Sequence, residues 1–135
     1  MKYIKTYERV LTEDEKRLKN LANRITYHLQ KFFGKNKASA YSYYPEIIIS
    51  INFVSNWLDK TEDLYAKWSI WVDEIEKFTQ EFFSIQFHRN NRDLGRSFRL
   101  DEQQSEQLLT FLKSKKLDEL FDDYLMKKNM DKYNL

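Results

Sequence analysis

Residues 61–82 read TEDLYAKWSIWVDEIEKFTQEF, and the period assigned to them decides how much of the fold is helix. Leu64, Trp68, Trp71, Ile75, Phe78 and Phe82 step by four, three, four, three and four, the spacing of one helix stripe. Asp63 stands four residues before Lys67, and Asp73 four before Lys77, the order that favours an ion pair within a helix. Ala66, Trp68, Ile70 and Val72 alternate as a strand would. No Gly or Pro lies between Pro45 and Gly95 to turn such a strand, so the stretch is expected to be helical.

Upstream, Thr12-Glu13-Asp14-Glu15 forms a capping box, in which the Thr12 hydroxyl accepts from the Glu15 amide and Glu15 reaches back. Leu18, Leu21, Ala22, Ile25, Leu29, Phe32 and Phe33 follow at helical spacing, and Gly34 is placed as a left-handed stop; a helix is expected over 13–33. Beyond a polar connector the pattern alternates. Tyr41, Tyr43, Ile47, Ile49, Ile51 and Phe53 fall on a core face, with Tyr44, Glu46, Ser50 and Asn52 opposite. Pro45 cannot donate to a ladder, so one ordered strand is expected from about residue 46 to residue 54.

Downstream, Phe83, Ile85 and Phe87 alternate with polar residues, as do Phe98 and Leu100, and Asn90 to Gly95 has the composition of a hairpin loop. Asp101 with Gln104 repeats the capping arrangement at the head of a helix carrying Leu108, Leu109, Phe111 and Leu112. The apolar phase slips across Lys113, Lys115 and Lys116. Leu117, Leu120, Phe121, Tyr124 and Leu125 therefore belong to a separate helix, and residues 127–135 are expected to fray. The fold class that follows is α+β: a small antiparallel sheet, one strand plus a β-hairpin, packed against three to four helices. Residues 1–135 read as a single domain.

A hydrophobic fraction of 41% with 33% charged residues suits a folded chain, and aromatics at 16% against two Gly and one Pro are the anomaly. With no Cys, disulfides, thiolate catalysis and cysteine-ligated zinc are excluded. Two histidines sixty residues apart make a His-rich metal site improbable, and no cofactor is expected. Residues 1–10 lack the apolar stretch of a secretory signal, and the longest uncharged run, Ile47 to Leu58, is too short to span a bilayer. A cytoplasmic, non-membrane protein is the expectation. The net charge of +2 conceals segregation: residues 1–45 hold ten bases and four acids, 56–83 three bases and seven acids, and 84–100 four Arg against Asp93.

Four of the seven arginines, Arg89, Arg92, Arg96 and Arg99, fall in the hairpin 88–99. A basic two-stranded ribbon suits phosphate, an acidic protein surface, or simply solvent with its arginines paired to the acidic helix. Arg17, Arg24 and Lys31 recur every seven residues and share a helix face that could extend such a field. Tyr44 is the outward member of the tyrosine group, and Trp57 sits in a connector, so both are candidate contact residues. His88 beside Arg89 and Arg99 has the elements of a small ribonuclease, with His as base, whereas His28 reads as a boundary residue of the first helix.

With no nucleophile elbow, phosphate loop or metalloprotease spacing in the sequence, a non-enzymatic protein-binding module is the leading expectation, an inhibitor or accessory factor that blocks another protein's surface. The Lys, Asn, Ile and Tyr content suits an AT-rich genome, as of a phage or mobile element. Nucleic-acid binding through the Arg hairpin is the alternative. A homodimer is the expectation if rings along the acidic stripe stay unburied.

Overall fold

The computed structural model describes residues 10–53, 62–79, 82–86 and 94–133. Helix α1 spans Glu13–Phe33 and opens on the expected box: the Glu15 amide donates to Thr12 Oγ1 at 3.1 Å, and the Thr12 amide donates to Glu15 Oε1 at 2.9 Å. Glu13, Asp14 and Glu15 also place negative charge at the positive end of the helix dipole. Gly34 ends the helix at φ 119° and ψ 155°, so the stop is an extended positive-φ conformation and not the expected left-handed helical one. That region is essentially closed to residues with a Cβ, which explains why glycine stands there.

The alternating stretch forms two strands, not one. β1 (Ala38–Tyr43) and β2 (Glu46–Phe53) reverse through Tyr44–Pro45 and pair antiparallel, with Tyr43 opposite Glu46 and Ala40 opposite Ile49. This reversal pairs even positions of β1 with odd positions of β2. Ala38 and Ala40 therefore join Ile47, Ile49 and Ile51 in the core, while Tyr41 and Tyr43 face away from it, contrary to the single-strand expectation. β3 (Phe82–Gln86) and β4 (Leu94–Leu100) form the second antiparallel pair, with Gln86 opposite Leu94; Gly95 lies within β4 opposite Asn52 and not in the loop. The sheet order is β1-β2-β4-β3.

Helix α2 spans Glu62–Ile75, which settles the deciding stretch as helix but ends it one turn before Phe78 and well before Phe82. The last turn tightens as the Lys77 amide donates to Glu74 O and the Phe78 amide to Ile75 O. Two tethers from distant parts of the chain hold the exit: Thr79 Oγ1 donates to Arg99 O at 3.0 Å, and Gln104 Nε2 donates to Phe78 O at 2.7 Å. Tertiary contact thus overrides the stripe's periodicity. The helical acid–base pairs are likewise redistributed. Asp63 pairs with Lys128 at 3.1 Å, Lys77 pairs with Glu74, and Lys67 donates to Phe32 O while lying over the rings of Phe32 and Phe121.

Helix α3 (Glu102–Lys113) starts on the Asp101–Gln104 box, and α4 (Lys116–Tyr133) follows as the expected separate helix. The joint is Lys115, whose φ of 64° breaks the helical path where the apolar phase slips. α4 continues through Tyr133, so the helix does not end at residue 127. All strand residues of the core, Ala38, Ala40, Ile47, Ile49, Ile51, Phe98 and Leu100, lie on one face of the sheet, and the helices cover it with Leu18, Ile25, Leu29, Trp71, Ile75 and Leu108. The chain is therefore a small α+β fold. Along the outer rim of β1, α1 satisfies the free edge: Thr26 Oγ1 accepts from the Ala40 amide at 2.8 Å and donates to Ala40 O at 2.9 Å, and Gln30 Nε2 donates to Ala38 O. None of the helices is long and apolar enough to cross a membrane among the described residues.

Candidate functional site

The face of the sheet that the helices leave open carries Tyr41 and Tyr43 on β1, Glu46 and Ile48 on β2, and Arg99 on β4. Tyr41 is 48% exposed, Tyr43 68% and Tyr44 53%. Tyr43 stands opposite Glu46, whose Oε1 lies 3.2 Å from Arg99 Nε across the sheet. Beside this corner a hollow of about 470 Å³ is lined by Leu11, Glu15, Ser42, Tyr43 and Tyr44, because α1 begins where β1 ends. Two of the residues singled out by sequence, Tyr44 and Arg99, thus come to the same end of the sheet, with Glu46 near both. Glu46, a strand residue, is thus a partner of Arg99.

Other expectations are less well placed. Arg96 lies in β4 opposite Ile51 and Ser84. Arg89, Arg92, Trp57 and His88 lie outside the described residues. Among the described residues, no group of His, Cys, Asp and Glu is arranged to hold a metal ion.

Sequence reasoning missed a groove between α2 and α4. It measures about 690 Å³ and is lined by Tyr65, Ala66, Ser69 and Ile70 from α2 and by Leu120, Asp123, Tyr124 and Lys127 from α4. Its signal lay off the apolar stripe of α2, in positions that a two-helix contact leaves at its margin. Met126 and Met130, one turn apart on α4, are also exposed.

The paired helices α1 and α3 run in the same direction, because Arg17 near the start of α1 meets Glu102 at the start of α3. Asp14 completes that ion-pair group at 3.0 Å, and the two acids hold Arg17 protonated far above neutral pH. At the other end of the helix pair, His28 lies against Tyr27, ring centroids 5.2 Å apart at 81°. Burial lowers the His28 pKa first, and the charges of Lys31, Lys113 and Arg24 lower it further.

The neutral imidazole is therefore the form that the fold prefers. Because the folded pKa lies below the unfolded value, this contribution to stability is complete above the ordinary His range and is lost as pH falls through it. Thermal melts between about pH 7.5 and 5.5 are expected to show a declining Tm, and His28→Gln is expected to flatten part of that decline. An equal slope in the variant would assign the dependence to carboxylates.

Searches against protein-family models, curated proteins and solved structures return no match to this chain.

Proposed function

We propose that the protein is a non-enzymatic binding module that docks on another protein through the tyrosine corner of its sheet. The observation that carries this reading is the set of three tyrosines, each about half exposed or more, with Tyr41 and Tyr43 on the open face of the sheet and Tyr44 in the turn that follows. A tyrosine ring offers a large rigid area at low entropic cost, and its hydroxyl tolerates both water and a polar partner. Rings of this kind at the centre of an interface each contribute about 2 kcal/mol or more to affinity. Glu46 and Arg99 offset each other beside the rings, so the corner carries little net charge. The partner that fits is an uncharged protein surface with apolar recesses, and blocking such a surface is the role of an inhibitor or accessory factor.

The test is affinity capture from the native host in parallel with the Tyr41→Ala, Tyr43→Ala double variant, with circular dichroism confirming that the variant is folded. A protein retained by the parent and lost by the variant, with retention insensitive to salt, is the expected result. A partner held equally by both proteins would remove the corner from the function. Sedimentation of the purified chain supplies the second readout: self-association abolished by the same double variant would make the partner a second copy.

A further inference from the structure

The Arg17 end of the α1–α3 pair is neutralised by Glu102 and Asp14, whereas the opposite end is not. There Arg24 and Lys31 on α1, Lys113 at the end of α3 and Lys115 in the α3–α4 joint form no ion pair with any described residue. A hollow of about 60 Å³ is lined by His28, Lys31, Lys113 and Lys115, with Asp118 the one carboxylate on its wall. The charges of Lys31, Lys113 and Arg24 all act on His28, in keeping with their placement around it on two helices. Tyr27 lies among them, 59% exposed, with its ring edge-on to His28 and Lys31 Nζ 5.3 Å from its centroid.

A set of cations could take any anion, but this set encloses an exposed aromatic ring. Arg24 and Lys31 lie seven residues apart on one face of α1, roughly 10.5 Å along the helix axis, with the neutral His28 between them as a hydrogen-bonding group and not a cation. Phosphates of an extended strand can follow such a row, and an adjacent ring gives one base a surface on which to stack. Duplexes keep their bases stacked inside and would leave Tyr27 unused. We infer that the surface formed by Arg24, Tyr27, His28, Lys31, Lys113 and Lys115 binds single-stranded nucleic acid, with the cations on phosphates and Tyr27 under a base. This surface lies on the helices and is separate from the tyrosine corner on the open face of the sheet, so either can exist without the other.

The experiment is fluorescence anisotropy with a labelled single-stranded RNA of about twelve nucleotides, titrated between about 50 and 200 mM salt. Lys31→Glu with Lys113→Glu is expected to weaken binding by at least about tenfold, and the loss of two phosphate contacts should reduce the salt slope by roughly 1.4. Tyr27→Ala is expected to weaken binding about fivefold or more without changing the slope. If the charge-reversed protein fails to fold by circular dichroism, Lys31→Gln with Lys113→Gln replaces it, with the same direction of change expected. Failure of the parent protein to bind at the lowest salt would overturn the inference. So would binding that survives these variants and disappears with Arg92→Ala and Arg96→Ala, which would place it on the hairpin. Displacement of the RNA by inorganic phosphate, beyond that by chloride at matched ionic strength, would reduce the surface to a small-anion site and would also overturn it.

Discussion

Replacing Trp71 with Ala is expected to lower the unfolding free energy by about 3–5 kcal/mol, the range for deleting a large aromatic side chain from a core. Trp71 is fully buried, and its ring meets Phe33 edge-to-face at 6.1 Å and Phe98 at 6.0 Å. It therefore joins three elements, α1, α2 and β4, that have no covalent proximity to one another. For a domain of this size the loss corresponds to a fall in Tm of roughly 10–20 °C. Trp71→Phe provides the calibration. The indole Nε1 is buried without a hydrogen-bond partner among the described residues, so the smaller ring also removes an unsatisfied donor, and a loss of about 1–2 kcal/mol is expected. Equal losses for Ala and Phe in chemical denaturation would show that the ring's packing is not what matters.

The second large effect is expected at Thr26. Its hydroxyl is the acceptor for the Ala40 amide and the donor to the Ala40 carbonyl, and Ala40 itself is buried. Thr26→Val preserves the shape but strands both backbone groups, at a cost of about 2–4 kcal/mol for the pair. Thr26→Ser keeps the hydroxyl and loses one methyl group, about 1 kcal/mol. Hydrogen exchange offers a local readout: the Ala40 amide is expected to exchange much faster in the valine variant while amides at the centre of β2 slow or speed only with global stability. Protection of Ala40 unchanged by valine would mean that the hydroxyl does not seal the strand.

What could be read from the sequence follows the range of the interactions involved. Both capping boxes are four-residue patterns whose partners lie within one turn, and α1 and α3 begin where those patterns place them. The phase slip before Leu117 was visible for the same reason, as a local clash of period at Lys115. The Tyr44–Pro45 reversal was hidden because alternation continues through it: a strand that runs on and a strand that folds back have the same composition and differ only in which parity is buried. The early end of α2 depends on Gln104 and Arg99, 26 and 20 residues from the groups they tether.

The candidate surfaces were legible to the same extent. Tyr44 and Arg99 could be named one at a time, but Glu46 as the partner of Arg99 and the neighbour of Tyr43 required the sheet register. The spacing of Arg17, Arg24 and Lys31 was visible as a shared stripe. That Arg17 is neutralised while Lys31 is not depends on Glu102, 85 residues away in the chain.

The hydrogen bonds from α1 to Ala38 and Ala40 bear on how this molecule behaves at high concentration. Open sheets polymerise when each copy offers two unsatisfied rims, one to accept the next strand and one to be accepted. Here the β1 rim is already occupied by the chain's own helix. An incoming strand would therefore have to displace Thr26 and Gln30 to pair along Ala38 and Ala40, which disfavours the extension of copies through this stretch of β1.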